Sequence, residues 1–270
     1  MDKQFAPHIP KNSEGWWLFP RERSGSERKA IFPEIVMQHH AKLHVGLTRA
    51  IIEYVSNPGD VIMDPMGGSG TVMLAALMGR YVTLVEIEPK YHDMEQQVLL
   101  WFAVQHDHTV MDRVTLINAD SKLILPIPCN HIITSPPYAD AFKPSKELSK
   151  FVKDKYRAEE EWYGTYAHTQ GNVGLVNTFL YNQLMEKLYH LYYQSVLPGG
   201  TCTIVTKDTT EKGQRVYLSR WIIKTCLEAG FELHQWYKHE LLGGPFQDMR
   251  RAKGQATVDD EDLIIFRRPA

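Results

Sequence analysis

The fold of this chain is decided by one stretch of sequence, VIMDPMGGSGT at residues 61–71. Its first three residues form an apolar run, which is typical of a strand buried in a parallel sheet. The glycines that follow allow a sharp turn over residues 64–70 and a close approach of a ligand to the main chain. The next apolar residues predict a helix over residues 71–78, ended by a glycine. The stretch therefore predicts a strand–loop–helix unit with a binding site at the end of its strand.

Strands and helices alternate along the rest of the chain. Short apolar runs predict six further strands, at residues 81–85, 114–117, 131–134, 201–206, 231–237 and 263–266. Helical periodicity predicts further helices at residues 43–55, 91–104, 176–192 and 218–227. This order predicts an α/β fold with a mostly parallel seven-stranded sheet and helices on both faces. No helix separates the last two strands, so we expect them to pair as an antiparallel hairpin at the sheet edge.

Composition excludes several classes of protein. The 270 residues include 30 basic and 32 acidic side chains, for a net charge of -2, and 43% are hydrophobic. These values exclude collagenous and disordered chains, and a protein that coats nucleic acid by bulk charge. No apolar run approaches the roughly 20 residues that cross a membrane, and the N-terminus lacks the apolar region of a signal peptide. We therefore expect a cytoplasmic protein with no membrane partner.

Cysteines and histidines do not predict a metal site. The three cysteines lack CxxC spacing, and the closest histidine pairs lack further ligands at zinc spacing. We expect buried structural thiols in a reducing compartment and no metal.

The chain divides into an arm and a main domain. Residues 1–36 are irregular and rich in proline, with two adjacent tryptophans, and we expect this arm to pack over the main domain by its aromatics. Residues 37–270 form the predicted domain. It contains a segment without periodicity at residues 139–176 and a long loop at residues 238–262.

A second motif, TSPPY at residues 134–138, follows the fourth predicted strand. Its two prolines make a rigid, extended segment and fix the direction of the Pro136 carbonyl. That carbonyl and the Ser135 hydroxyl can both accept hydrogen bonds from one exocyclic amine, whose lone pair is otherwise delocalised into a base ring. Tyr138 supplies a face for stacking. A polyproline-type loop is the alternative, but the end of a parallel strand favours a site.

Acidic residues end the second and third predicted strands. Glu86 lies 19 residues after Gly67, where nucleoside-binding α/β folds place a carboxylate that accepts hydrogen bonds from ribose hydroxyls. Asp120 follows the third strand and can accept from an adenine amino group. The glycine spacing is neither GxGxxG nor that of a phosphate-binding Walker loop, which disfavours a dinucleotide oxidoreductase.

These motifs together resemble the S-adenosylmethionine-dependent DNA methyltransferases that modify exocyclic amines, N4 of cytosine or N6 of adenine. Residues 64–71 match that family's cofactor motif, Asp-Pro-Phe-x-Gly-Ser-Gly-Thr, with Met66 at the Phe position, and residues 134–138 match its catalytic motif. Residues 39–42 resemble its His-Pro-Ala-Lys segment, with His40 at the Pro position, and residues 197–200 match the turn before the fifth strand. The resemblance covers roughly residues 37–267. It implies a Rossmann-like class I methyltransferase fold and S-adenosylmethionine as cofactor.

The resemblance also implies roles for residues of the two motifs and for several residues near them. The cofactor-binding residues would be Lys42, Asp64, Pro65, Met66, Gly67, Gly68, Ser69, Gly70, Thr71, Glu86, Ile87 and Asp120. The catalytic residues would be Ser135, Pro136, Pro137 and Tyr138.

Basic residues follow the catalytic motif. Residues 143–157 contain six lysines and arginines and two acidic residues, which gives a local net charge of +4. Four aromatic residues lie at the end of this stretch or shortly after it. This pattern is typical of contact with nucleic acid, although a solvated charged helix has a similar composition. We therefore expect the segment 139–176 to contact the target. The predicted DNA contacts are Lys143, Lys146, Lys150 and Lys153, with Arg250 and Arg251 as a second patch.

The target amine is open to several interpretations. A serine before Pro-Pro favours N4 of cytosine over N6 of adenine, for which that family has Asp or Asn. C5 of cytosine is disfavoured because that reaction needs a Pro-Cys nucleophile in the motif. An amine or amide in RNA or protein, and a non-catalytic scaffold, remain alternatives. Few residues lie outside the predicted methyltransferase sheet. A segment that recognises a DNA sequence would therefore be short, or recognition would be shared with a second copy of the chain in a homodimer.

Overall fold

The computed structural model of the protein describes residues 3–22, 27–39, 41–138, 169–211, 214–241, 251–252, 254 and 256–270. The strands within these ranges are β1 (Val61–Asp64), β2 (Tyr81–Glu86), β3 (Val114–Asn118), β4 (Cys129–Thr134), β5 (Val196–Thr206), β6 (Thr209–Glu211), β7 (Gln214–Val216), β8 (Glu232–Glu240) and β9 (Asp260–Arg267). The α-helices are α1 (Glu27–Ile31), α2 (Val45–Val55), α3 (Leu74–Leu77), α4 (Pro89–Gln105), α5 (Ser121–Ile124), α6 (Thr178–Ser195) and α7 (Leu218–Glu228). Short 3-10 helices lie at Glu34–Gln38, Thr71–Met73, His108–Asp112 and Val173–Leu175.

Seven strands form one sheet in the order β3-β2-β1-β4-β5-β9-β8. The first five are parallel, and β9 runs antiparallel to both of its neighbours. The predicted fold class is confirmed. The chain moves outward from β1 to β3 and then returns to β4, so the strand order reverses between β1 and β4. In open parallel sheets, ligands bind at the carboxyl ends of the strands at such a reversal.

Helices cover both faces of the sheet. On one face α2, α3 and α4 bury Ile51, Ala76 and Val98 in one apolar cluster. On the other face α6 and α7 bury Tyr192 and Ile222 in a second. Each helix thus covers the sheet with an apolar stripe, which is the three-layer arrangement expected for alternating strands and helices.

The elements differ from the predicted ones in several places. The arm, predicted to be irregular, contains the helix α1, the short helix α5 was not predicted, and β5 begins at Val196 rather than at residue 201. The helix predicted at residues 71–78 begins as a 3-10 turn, because Gly70 before it is left-handed with φ +70°. The loop predicted at residues 238–262 is shorter, since β8 continues to Glu240 and β9 begins at Asp260. The small hairpin of β6 and β7 was not predicted, because its mixed polar residues give no apolar run.

The N-terminal arm packs against the outer strand and reaches the glycine loop. Phe5 stacks on Tyr237 of β8 with ring centroids 5.0 Å apart, and the backbone of Trp17 exchanges hydrogen bonds with β8. This pairing covers a sheet edge that would otherwise be open. Further along the arm, the buried Arg28 donates to the Thr71 hydroxyl at 3.1 Å. The arm therefore contributes to the layer that supports the loop after β1.

Packing of α4 on the arm and sheet gives a test of the core. Phe102 is fully buried and its ring lies 5.1 Å from that of Phe32, whereas Leu100 is 56% exposed. We expect Phe102→Ala to lower the free energy of unfolding by about 3–5 kcal/mol, through lost burial and a residual cavity. Leu100→Ala should change it by less than about 0.5 kcal/mol. Urea unfolding of both variants measures this, and equal effects would contradict the assigned core.

Candidate active site

A cavity of about 250 Å³ lies at the carboxyl edge of the sheet, where the strand order reverses. Every predicted catalytic residue lines it, as does every predicted cofactor residue other than Gly70. The two motifs come together because β1 and β4 are neighbours in the sheet although about 70 residues separate them in sequence. Gly70 lies outside the lining, and its left-handed backbone starts the 3-10 helix instead.

The glycine loop is held by backbone hydrogen bonds to the neighbouring strand. Gly67 donates its N–H to the carbonyl of Val85 at 3.0 Å, and Gly70 donates to Gly67 at 2.9 Å. Gly68 has a φ of +56°, which favours glycine, and a side chain there would meet the His39 ring at 3.1 Å. The loop therefore exposes main chain to the cavity at a point where side chains are excluded.

Glu86 at the end of β2 fixes that loop from the side. One carboxylate oxygen accepts from the N–H of Gly68 and the other from the N–H of Glu88, each at 2.7 Å. Burial raises the pKa of Glu86, and these backbone donors oppose the shift. The N–H of Ile87 is a third backbone donor to this carboxylate. A carboxylate has about four acceptor sites, so about one remains for a ligand in the cavity. A loop free of side chains beside such a carboxylate fits the nucleoside part of S-adenosylmethionine.

Two more carboxyl groups lie under the loop. Asp64 is 3% exposed and accepts from the N–H of Met66 at 3.0 Å, and burial raises its pKa to about 7. Glu95 of α4 is fully buried, and neither of its oxygens has a hydrogen-bond partner among the described residues. Burial, followed by the charges of Glu86 and Asp64, raises the pKa of Glu95 well above its usual range. Burial therefore favours the neutral form of Glu95, and the nearest basic group among the described residues, Nδ1 of His92, lies 3.8 Å from Oε2.

Glu95 was not predicted as a residue of the site, although its helical spacing indicates that it is buried. It belongs to the buried stripe of α4 formed by Tyr91, Met94, Glu95, Val98, Leu99 and Phe102. A glutamate at that helical spacing faces the core. A Cβ on Gly67 would lie 2.1 Å from a Glu95 oxygen, so this carboxyl fills the space that a larger residue in the loop would need.

The segment before α2 closes another side of the cavity. The ring of His39 packs edge-on against Tyr91 with centroids 4.4 Å apart, and Lys42 donates to the carbonyl of His39. Burial and the nearby Arg28 charge lower the pKa of Lys42. His40, which replaces proline in the family's segment, lies outside the described residues.

Residues 169–173 lie over the cofactor side of the cavity. Glu88 accepts from the hydroxyl of Thr169 at 2.8 Å and from the amide of Asn172 at 2.7 Å. Lys122 pairs with Asp120 at 2.8 Å and donates to the carbonyl of Gly171 at 2.6 Å. Gly171, Asn172 and Val173, near the end of the segment 139–176 for which target contact is predicted, line the cavity. Such non-local pairing gave no signal in the sequence.

The catalytic motif runs from the end of β4 along the cavity to Tyr138. The tyrosine hydroxyl accepts from the N–H of Lys207, just after β5, at 3.0 Å, which fixes the ring at the neighbouring strand. Burial, and next the charge of Glu261, raise the pKa of Tyr138. Tyr138 is therefore a neutral, anchored aromatic wall, and Glu261 is an acidic residue of the lining that the motifs did not reveal.

The predicted DNA contacts are placed only in part. Lys143, Lys146, Lys150, Lys153 and Arg250 lie outside the described residues. Arg251 pairs with Asp259 at 2.8 Å, and both side chains are partly exposed. These six positions stay predictions.

The part of the chain that the structure describes contains no cluster of His, Cys, Asp and Glu able to hold a metal ion. Its helices include none that is long and apolar enough to cross a membrane. The three cysteines are buried and unpaired with one another.

The neutral Glu95 gives the folded state a pH dependence that a variant should remove. Because the folded pKa of Glu95 is raised above the unfolded value of about 4.3, its stabilising contribution is complete below that value and is lost as pH rises through the folded pKa. We expect Glu95→Gln to gain stability relative to the wild type by about 1 kcal/mol per pH unit as the pH rises from about 5 toward the raised folded pKa.

Urea unfolding across that pH range measures this difference. Glu53→Gln, at an exposed position of α2, is the control and should follow the wild type. Parallel curves for the wild type and Glu95→Gln would show that Glu95 is not held neutral.

Comparisons with known proteins agree with this geometry. A family model described as DNA methylase matches residues 7–97. A search of curated proteins gives no match. Among solved structures, TrmN from Thermus thermophilus superposes with a TM-score of 0.52 at 15% identity, over 85% of this chain and 50% of TrmN. This chain thus aligns with about half the length of TrmN.

Two further structures have the same fold. An S-adenosylmethionine-dependent methyltransferase from Methanosarcina mazei gives a TM-score of 0.51 at 10% identity, over 81% of this chain and 97% of that one. The glycopeptide N-methyltransferase MtfA with sinefungin gives 0.51 at 12% identity, over 85% and 88% of the two chains. At these identities the likeness establishes the fold.

The findings bear on three predictions. The class I methyltransferase fold is confirmed by the solved structures. The cofactor prediction, S-adenosylmethionine, is confirmed at the level of family and fold. The findings support an S-adenosylmethionine-dependent methyltransferase, and the DNA methylase match over residues 7–97 confirms the predicted resemblance to the exocyclic-amine DNA methyltransferase family.

Proposed function

We propose that this protein transfers a methyl group from S-adenosylmethionine to the exocyclic amine of a base rotated out of DNA, with N4 of cytosine as the target. The observation that carries the proposal is one cavity lined by both the glycine loop and the SPPY motif. A methyl donor and an acceptor amine have to meet within van der Waals distance, and this cavity is where the two motifs meet.

The cofactor end of the cavity lies at β1, β2 and β3. Glu86 would accept from a ribose hydroxyl with the acceptor capacity left by its backbone contacts to Gly68, Ile87 and Glu88. Asp120, at the wall beside Gly171, would accept from the adenine amino group. Lys42 and the neighbouring main chain would hold the amino-acid end. When bound, S-adenosylmethionine supplies the methyl group from its sulfonium.

The base end of the cavity lies at β4 and β5. The Ser135 hydroxyl and the Pro136 carbonyl would accept the two N–H bonds of the amine, so that its lone pair points to the methyl group. The ring of Tyr138, fixed by Lys207, would stack on the base. A base inside the duplex cannot present its amine in this way, so the target has to rotate into the cavity. The chemistry is then positioning and electrostatics, without a covalent intermediate.

The cysteines argue against methylation at carbon 5 of cytosine. That reaction requires a thiolate at the base, but none of the three cysteines lines the cavity. Burial raises the pKa of the Cys129 thiol to about 12 and those of Cys202 and Cys226 well above the usual range.

DNA as the substrate is supported by two observations. The matched family model is described as DNA methylase, and a segment of net charge +4 directly follows the catalytic motif. Serine before Pro-Pro supports cytosine within that family. Adenine N6 is the second candidate target, since its amine presents the same pair of N–H bonds, and an amine or amide of RNA or protein is the third.

Loss of one contact from Glu86 should weaken the cofactor site. In Glu86→Gln the amide keeps one acceptor, so one of the hydrogen bonds to Gly68 and Glu88 is lost. A hydrogen bond to a charged group contributes about 1.5–3 kcal/mol, so we expect S-adenosylmethionine and sinefungin to bind about 10- to 100-fold more weakly. Calorimetric titration measures this. Unchanged affinity, like that of the exposed control Glu53→Gln, would contradict the role of Glu86.

The proposed reaction is tested by transfer of tritium from labelled S-adenosylmethionine to DNA, RNA and protein, with mass spectrometry of the DNA nucleosides. We expect label in DNA as N4-methylcytosine. Ser135→Ala should lower the rate about 10²-fold, as for loss of one preorganised contact to a reacting group, and should keep cofactor affinity. The exposed Ser13→Ala is the control.

Each other outcome has a definite meaning for this proposal. N6-methyladenine would move the target to the second candidate. Label confined to RNA or protein would reject DNA as the substrate. A full rate for Ser135→Ala on a confirmed substrate would reject the assignment of the catalytic motif.

A further inference from the structure

Glu261 is an acidic residue at the cavity that neither motif contains. It is the second residue of β9. Because β9 runs antiparallel to β5, its first residues lie at the edge where the parallel strands end. The reversed direction of one strand therefore brings a carboxylate from the end of the chain to the same edge as the glycine loop and the catalytic motif.

The neighbours of Glu261 in β9 fix its direction. Asp260 and Asp262 are 1% and 0% exposed, and both pair with Lys238. Arg215 forms two hydrogen bonds of 2.8 Å with Asp260. Because side chains alternate between the faces of a strand, pinning these two aspartates on one face directs Glu261 to the other, toward the cavity.

His239 orients the Glu261 carboxylate. The two residues are cross-strand partners of β8 and β9, with Nε2 and Oε2 2.9 Å apart. The histidine is buried, and its Nδ1 has no hydrogen-bond partner among the described residues. The ring proton is therefore assigned to Nε2, which donates it to the carboxylate. The Glu261 side chain is 21% exposed, so it faces the cavity and also reaches solvent.

Glu261 lies at the base end of the cavity rather than the cofactor end. In the order β2-β1-β4-β5-β9, Glu86 and Glu261 are separated by three intervening strands, or roughly 19 Å at about 4.8 Å per step. Tyr138 lies between them and is anchored at the end of β5. The charge of Glu261 contributes to raising the pKa of Tyr138. A base stacked on Tyr138 would therefore lie beside Glu261.

We propose that Glu261 is the proton acceptor for methyl transfer and that His239 is its positioning residue; this inference rests on the proposed function. The amine lone pair forms a bond to the methyl carbon, and the carbon–sulfur bond breaks with its electron pair staying on sulfur. The nitrogen, now positively charged, turns one of its two N–H bonds from the Ser135 or Pro136 oxygen to Glu261 and gives that proton to the carboxylate, which becomes a neutral carboxylic acid and returns the proton to water. Ser135 and the Pro136 carbonyl accept hydrogen bonds but are too weakly basic to take that proton.

The experiment measures single-turnover methyl transfer to the DNA substrate by rapid quench, together with cofactor affinity. Glu261→Gln keeps shape but cannot accept the proton. We expect its rate to fall about 10²-fold, with S-adenosylmethionine affinity within about twofold of the wild type, because Glu261 lies at the base end. Glu232→Gln, at an exposed position at the opposite end of β8, is the matched control. A Glu261→Gln rate within about threefold of the wild type would overturn the proposal.

The role of His239 is tested by a pair of variants. His239→Gln keeps an N–H donor and should retain most of the rate, whereas His239→Phe lacks one and should lose roughly tenfold. A purely structural role would give the opposite order, since phenylalanine replaces the buried ring better than glutamine does. Equal rates for the two variants would reject the positioning role.

Failure of this inference is distinguishable from failure of the proposed function. A wild type that transfers no label to DNA fails the proposed function, and this inference with it. An active wild type with an equally active Glu261→Gln fails this inference alone. If Glu261→Gln does not fold, Glu261→Asp decides: it keeps the charge but is shorter, and a rate equal to the wild type together with a full rate for His239→Phe would overturn the proposal.

Discussion

The close contact between the glycine loop and the carboxyl groups around it is the constraint on which the site depends. Glu95 occupies the space that a Cβ on Gly67 would need, while Glu86 takes the N–H of Gly68. The loop is thereby held against β2 and α4 on two sides, and its free side is the cavity. A residue larger than glycine at position 67 would have to displace a buried carboxyl, so the requirement for glycine follows from packing as well as from backbone conformation.

The same loop connects the arm to the main domain. Arg28 of the arm bonds the Thr71 hydroxyl and the carbonyl of Leu43, and its charge is balanced by Glu22. Glu22 in turn accepts from the N–H of Val45, the first residue of α2. A buried ion pair contributes little to stability when both partners are present, but loss of either leaves an uncompensated charge. The arm therefore acts as a structural support of the glycine loop, although none of its described residues lines the cavity.

Sequence patterns predicted those elements whose conformation depends on residues that are neighbours in the sequence. Apolar runs and helical spacing placed all seven strands of the main sheet, and both motifs were assigned to the ends of strands because glycine and proline restrict the backbone at those points. Residues that enter the site through the tertiary fold gave no such signal. Glu261 reaches the cavity because β9 is antiparallel, and Asn172 because Glu88 accepts from its amide. Glu95 is an intermediate case, since helical spacing places it on the buried face but does not reveal the loop above it.

Under the proposed function, the distribution of charge in the site reconciles a net charge of -2 with a polyanionic substrate. The described lining of the cavity carries Asp64, Glu86, Glu88, Asp120 and Glu261 against Lys42 and Lys122. An acidic lining disfavours a phosphate but accepts the N–H groups of a neutral base and of the cofactor. Under the proposed function, the phosphates would stay at the basic segment after the catalytic motif, and only the base would enter. Under that function, the net charge of -2 includes two opposed regions: one would attract the DNA backbone and the other would exclude it from the site of reaction.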